Sequence, residues 1–295
     1  MILAVAPVRS RPVAVAILAL LAGCGADSTD EDVKTELPLP DGLTGLRVRL
    51  GLGDVTVGIH AGERTLRIDG RLRRSAADPD DFEQLLHVAF EPRLTPTQDP
   101  GVFQLAAPAL PAGVDAERSA IVFRTYLSLP EDVAIDVETR RGDLEVRYRK
   151  APVRLRTERG ELALRDVHAD ADVATIDGKL FAVGHRGGLR ARCGDPLRPT
   201  LTGGSIFACV EAIGSGGIDL WTNSPSLQLE LPAGAAFELD AEVSESARGK
   251  VGIRTAFGLP IEAEGEGHRC RGAVGGGGAK VRAALRVGWL SVSSR

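Results

Sequence analysis

Aromatic side chains make up only 4% of this 295-residue chain, and there is a single methionine. Four cysteines occur, with no CxxC pair and no cysteine–histidine cluster at metal-ligand spacing, which excludes a zinc module. Neither sign of charge dominates: 36 Lys and Arg stand against 40 Asp and Glu, for a formal charge of −4. No basic patch carries interleaved aromatics, so nothing suggests a nucleic-acid partner. Nucleophile-elbow, HExxH and phosphate-loop patterns are also missing from any strand-to-helix context. The only apolar run of note, "VAVAILALLAG" at 13–23, is too short for a confident membrane span.

Glycine (35) and proline (17) are present in quantity, and 43% of residues are hydrophobic. That is enough apolar material for a core and argues against global disorder.

The phrase "IDVETRRGDLEVRYRK" begins at Ile135, and related phrases follow at a period of 18: "VRLRTERGELALRD" and "ADVATIDGKLFAVG". At that period Thr139, Thr157 and Thr175 form one column, and Gly142, Gly160 and Gly178 another. Apolar residues alternate on both sides of the glycine, so each unit reads as strand, tight turn, strand. One unit offers about four inward apolar side chains at roughly 1.5–3 kcal/mol each. Ordering the unit costs on the order of 1–2 kcal/mol per residue, so units must share surfaces. Charge tests the register independently. Asp136, Arg154, Asp172 and Arg190 alternate in sign down one column, as parallel in-register stacking favours.

The predicted fold is all-β: short stacked strands forming a parallel β-solenoid-like body over 129–295. A fourth unit begins at "LRARC", with Cys193 in the threonine column and Pro196 in the glycine place, and a loop insertion at 196–203 follows. Cys193 then points inward and Cys209 outward, which opposes a disulfide between them; the pairing of Cys193, Cys209 and Cys270 stays open. "IDLWTNSPSLQLEL" copies the opening phrase, "LPAGAAFELDAEVS" echoes "LPEDVAIDVETRR", and "ALRVGWLSVSS" adds one more strand-glycine-strand. The glycine-rich stretch 265–278 reads as a loop. Residues 43–128 read as an irregular β region that continues into the stack and caps it. Within it "LRVRLGLGDVTVGI" resembles the opening phrase, and Asp78-Pro79 can start a short helix or sit in an acidic loop.

At the other end of the chain, Arg9 and Arg11 precede the apolar run, and "LLAGC" resembles the lipobox of bacterial lipoproteins. The resemblance implies a signal peptide at 1–23 and lipidation of Cys24. It implies a membrane partner through the N-terminal lipid, and a location at the bacterial cell envelope. Gly25, in place of Asp, points to the outer membrane. The acidic residues that follow read as a flexible tether over 24–42.

The repeats, with "LPEDVAIDVETRRGDLEV" and the late "LPAGAAFELDAEVS", resemble the DUF4097 family of bacterial adhesin-like proteins over about 43–295. That resemblance implies an all-β stack at a bacterial surface, with no catalytic residues and no cofactor. The function expected is a non-catalytic envelope scaffold for adhesion or envelope interaction. The alternative is a carbohydrate-active lyase or hydrolase on a β-helix, using Asp143 over Glu161. For the scaffold, Arg141, Arg147, Arg159 and Arg165 are the candidate anion-binding strip, with an acidic glycan or an envelope protein as partner. His168 and His185 fall near one another in the register without forming a metal site.

Overall fold

The computed structural model describes residues 27–60, 62, 64–195, 203–223, 225–246 and 252–295. The signal peptide, Cys24 and most of the 196–203 insertion, Pro196 included, lie outside the described residues.

The chain opens with β1 (Asp27–Pro38), β2 (Gly45–Leu52), β3 (Val55–Ile59), β4 (Thr65–Ala76) and the helix α1 (Pro79–Leu86). It continues through β5 (Thr95–Pro96), β6 (Val102–Ala106) and β7 (Ser119–Leu129) into the regular repeats. These are β8 (Ala134–Arg141), β9 (Leu144–Arg147), β10 (Val153–Arg159), β11 (Leu162–Arg165), β12 (Ala171–Asp177), β13 (Leu180–Cys193) and β14 (Ile206–Thr222). The last strands are β15 (Ser226–Leu231), β16 (Phe237–Ser246), β17 (Ile253–Thr255), β18 (Ile261–Glu264), β19 (Gly267–Val274) and β20 (Ala279–Ser294).

Each repeat is a rung with a leading strand, a turn and a trailing strand. Leading strands pair with leading strands in parallel, and trailing with trailing. The leading ladder runs β5–β6–β2–β8–β10–β12–β13–β14–β20–β16–β19–β18. The trailing ladder runs β1–β4–β7–β3–β9–β11–β13–β14–β15–β20–β17. Strands β13, β14 and β20 take part in both ladders, because each turns a corner from one to the other.

Alternation then fills the interior from both sides. Val137, Leu155 and Val173 from leading strands and Val146, Leu164 and Ala182 from trailing strands are all buried in one core. The threonine column is confirmed: Thr139, Thr157, Thr175, Cys193 and Thr222 are successive partners. Its chemistry is local. Thr157 Oγ1 donates to the carbonyls of Arg159 (3.1 Å) and Gly142 (3.4 Å), Thr175 to Gly160 (3.3 Å) and Thr222 to Gly204 (2.6 Å). The buried hydroxyls thereby satisfy turn carbonyls that the ladder leaves over. Glycine is needed at the turn for two reasons. Gly53, Gly142 and Gly160 have φ of 136°, 146° and 147°, and a methyl group on Gly160 would collide with the Gly142 carbonyl of the turn below.

Three expectations change. Residues 27–38, read as part of a tether, form β1, paired antiparallel along its whole length with β4. The reason is complementarity. Glu31 meets Arg74 at 2.7 Å, Glu36 meets Arg67 at 2.8 Å and Asp32 meets Arg71 at 3.4 Å, while Val33 is buried. The region 43–128 contains a regular rung, β2–β3, which lies inside the stack between β6–β7 and β8–β9. The stretch 265–278 contains β19, which covers the edge of β16 and buries Cys270. Gly204 stacks directly on the Gly178 turn, as the match of "GSIFACV" to "GKLFAVG" implies.

At the first end α1 forms as the Asp78-Pro79 reading allows. Asp78 caps it by accepting from the backbone of Asp80 (2.9 Å) and Asp81 (3.3 Å), Leu85 is buried, and Phe90 meets Phe123 edge-to-face at 4.8 Å.

A candidate binding face

In a leading strand every second side chain points out of the stack. One outward column reads Arg47, Asp136, Arg154, Asp172, Arg190 and Asp219, and continues through Arg282, Asp240 and Arg271. The sign changes at every one of the nine positions. Rungs are about 4.8 Å apart, so the column spans roughly 38 Å.

The neighbouring outward column contains Arg49, Glu138, Arg156, Ala174, Arg192 and Trp221. The two columns share partners unequally. Asp136 takes Arg49 at 2.9 Å and Arg47 at 3.2 Å, and Arg47 also reaches Asp99 at 3.0 Å. Partial burial alone would raise the Asp136 carboxyl; the bonds from Arg49 and Arg47 outweigh it and hold the group below the ordinary aspartate range. Asp172 takes Arg156 at 2.5 Å, which reaches across because Ala174 leaves its own column empty. Asp240 is held by Arg269 (2.9 Å) and Arg271 (3.1 Å). Arg190 meets Asp219 only at 3.8 Å. Arg154, Arg192 and Arg282 are exposed and have no ion-pair partner within 4.0 Å among the described residues.

The face is concave. A groove of about 480 Å³ crosses the starts of the leading strands, lined by small residues such as Gly45, Ala134, Gly188 and Gly216, by apolar ones such as Ile135 and Leu189, and by charges of both signs: Arg47, Arg154 and Arg190 with Asp136, Asp170, Asp172 and Asp219. A second hollow of about 410 Å³ lies beside Glu138, Arg140, Arg156 and Arg192. A third, of about 150 Å³, lies among Arg192, Trp221 and Arg282.

No family model matches the chain, and no curated protein does. Among solved structures, that of a "putative cell adhesion protein" from Clostridium sporogenes aligns over 91% of this chain and 98% of its own, at 11% identity and a TM-score of 0.31. A likeness that shallow assigns no function, and the DUF4097 resemblance gains no matching family model.

The four arginines read from the sequence as one strip are placed as two pairs. Arg141 stands over Arg159 at the ends of leading strands, and Arg147 over Arg165 at the ends of trailing strands. The second pair is bridged by Glu145, which accepts from Arg147 and Arg165 at 2.6 Å each and offsets one of their two charges; these bonds hold Glu145 below the ordinary glutamate range despite partial burial. Asp143 and Glu161 do stack, but Asp143 Oδ1 accepts from the Glu161 backbone N–H at 2.7 Å, just as Asp54 accepts from Asp143 at 3.0 Å. These carboxylates tie turn to turn. His185 is fully buried with Nε2 3.1 Å from the Gly188 carbonyl, and burial lowers its pKa; His168 stays exposed.

All three described cysteines are free. Cys193 is in the core, where burial pushes its thiol up to about 12, and Cys209 lies on the outer side beneath Arg295 at 3.4 Å. No group of three His, Cys, Asp or Glu among the described residues is arranged to hold a metal.

Sequence reasoning found four members of the nine-residue column. It missed Asp219, which lies beyond the break in the 18-residue period after Cys193, and Arg47, Arg282, Asp240 and Arg271, because the strands that carry these stack out of chain order.

Proposed function

We propose that this chain is a non-catalytic scaffold of the bacterial cell envelope, anchored through a lipid on Cys24, that presents the outer face of its leading sheet to an adhesive or envelope partner. The observation that carries the reading is the unbroken charge alternation across nine rungs, with three guanidinium groups that make no ion pair within 4.0 Å among the described residues. Long, rigid and repetitive faces suit extended partners, because a repeated weak contact adds along the axis.

The lyase or hydrolase alternative requires two carboxylates converging on a cleft. Asp143 and Glu161 instead sit at successive turns, and the Asp143 carboxylate is engaged with the backbone N–H of Glu161. The face carboxylates are one per alternate rung and each is separated from the next by an arginine.

The test is crosslinking of the full chain in its native envelope. Cys24→Ala is expected to release the protein from the membrane fraction. Arg154→Glu with Arg190→Glu is expected to remove the crosslinked partner while leaving the membrane fraction unchanged. Retention of the same crosslinked partner by the arginine variant would oppose the scaffold reading.

A further inference from the structure

We propose that the ladder face holds an extended acidic polysaccharide in which acidic and neutral sugars alternate, one sugar to each rung. The inference rests on the scaffold reading and names the partner chemistry of the same face.

Periodicity is the first argument. A sugar in an extended chain advances by close to one rung spacing of about 4.8 Å. The face offers Arg at one step and Asp at the next. An acidic sugar over Arg154, Arg190 or Arg282 meets a guanidinium that can grip a carboxylate through two bonds. A neutral sugar over Asp172 or Asp219 meets a carboxylate able to accept from its hydroxyls. Trp221, half-buried between Arg192 and Ala284 in the adjacent column, offers an aromatic edge to the same chain.

The second argument is availability. Asp136 and Asp172 are claimed at short range by Arg47, Arg49 and Arg156, which leaves Arg154, in the middle of the column, with no ion pair within 4.0 Å among the described residues. Arg190 is held loosely at 3.8 Å, and Arg192 and Arg282 make no ion pair within 4.0 Å among the described residues. Within the groove, whose lining also carries Asp136, Asp170, Asp172 and Asp219, Arg154 and Arg190 are therefore the guanidinium groups least engaged within the fold, and Gly45, Ala134, Gly188 and Gly216 in the same lining leave room for a chain to approach.

The third argument is that stacking does not require the pattern. The trailing sheet has the same register, yet its outward columns place Arg147 over Arg165 and Phe181 over Phe207. Alternation is confined to the face that has the groove.

The pattern also selects against other polyanions. A polymer charged at every unit, such as a polyuronate, would set an anion against Asp219, which Arg190 compensates only loosely at 3.8 Å, and like charges repel there.

The experiment measures binding of the full chain to three octasaccharides: hyaluronan, which alternates acidic and neutral sugars; oligogalacturonate, which is acidic throughout; and neutral chitooligosaccharide. The expected result is salt-sensitive binding of the hyaluronan probe, tighter than oligogalacturonate by about ten-fold. The combined Arg154→Gln, Arg190→Gln, Arg282→Gln variant is expected to lose about ten-fold, while Arg165→Gln on the trailing face keeps full affinity. Equal or tighter binding of oligogalacturonate, or no binding of any probe, overturns the proposal. The wild-type comparison needs no variant to fold. Envelope crosslinking by the triple variant separates the two readings. If the crosslinked partner is lost while no octasaccharide binds the wild type, the polysaccharide fails and the scaffold stands; if the partner is kept, both fail.

Discussion

The leading and trailing sheets share one register and one core, and they part company on the outside. Leading strands carry an alternating row of arginine and aspartate. Trailing strands carry Thr56, Glu145, Ala163, Phe181 and Phe207 in the corresponding row, with no alternation. Because the inward residues of both sheets are equally buried, stacking energy comes from the shared interior and the turn column. The outer rows are therefore free to differ, and the alternation of charge belongs to the leading one alone.

The largest effect expected breaks what the two faces share. Gly160 has φ of 147° and no room for a side chain above Gly142, so Gly160→Val should cost at least about 4 kcal/mol. Denaturant unfolding measures it, and both faces should be lost together. Next, Leu155→Ala in a leading strand and Leu164→Ala in a trailing strand should each cost about 2–5 kcal/mol, since both are buried in one core. A large inequality between them would mean the interiors differ as well.

Surface substitutions should separate the faces. Asp172→Arg places three positive charges in consecutive rungs, with Arg154 and Arg190, and should cost about 1 kcal/mol. Arg165→Gln on the trailing face should stay within about 0.5 kcal/mol. Thermal unfolding of both variants at low and high salt checks the contrast, which should shrink as salt rises. The smallest effect is in acid. Asp136 is held below its ordinary range in the fold, so its contribution is complete above about pH 4 and is lost as pH falls through the lowered folded value. Asp136→Asn should flatten that part of the acid limb; an unchanged acid limb would mean that Arg47 and Arg49 do not hold the carboxylate.

The regular middle of the molecule was legible because its period is short and unbroken. Thr139, Thr157 and Thr175 stack as their spacing implies, and so do Asp136, Arg154, Asp172 and Arg190. The ends were not, for a physical reason. After Leu129 and again after Leu231 the chain passes over a rung instead of joining the adjacent one. Leu129 lies beside Ile59, and Leu231 beside Ser294. Both passages use the same turn, in which Val133 N–H donates to the Pro130 carbonyl and Ala235 N–H to the Pro232 carbonyl. The echo between "LPEDVA" and "LPAGAA" is the signal of that passage. It was visible in the sequence, but its meaning depended on which rungs flank it.

Arg149 reinforces the first passage. It is fully buried and donates to the carbonyls of Leu129 and Val133, and burial lowers its pKa to about 10. The β1 strand escaped notice because its acidic composition matches a solvated linker, while the arginines that pair with it lie in β4, well downstream. The stacking of Arg141 over Arg159 and of Arg147 over Arg165 is legible in the period; that the two pairs lie on different ladders, at the ends of leading and of trailing strands, is not.

The order of rungs at the second end tests the central claim most directly, since the nine-residue column exists only if β20 lies between β14 and β16. Cysteine pairs can be introduced at Asp219 and Arg282, or at Asp219 and Asp240, with Cys193, Cys209 and Cys270 replaced by alanine. Adjacent rungs bring Cα atoms to about 4.8 Å, within disulfide reach, whereas the next rung doubles that distance. The account predicts rapid oxidation of the 219–282 pair and none of the 219–240 pair. Oxidation of 219–240 with 219–282 silent would place the rungs in chain order and contradict it.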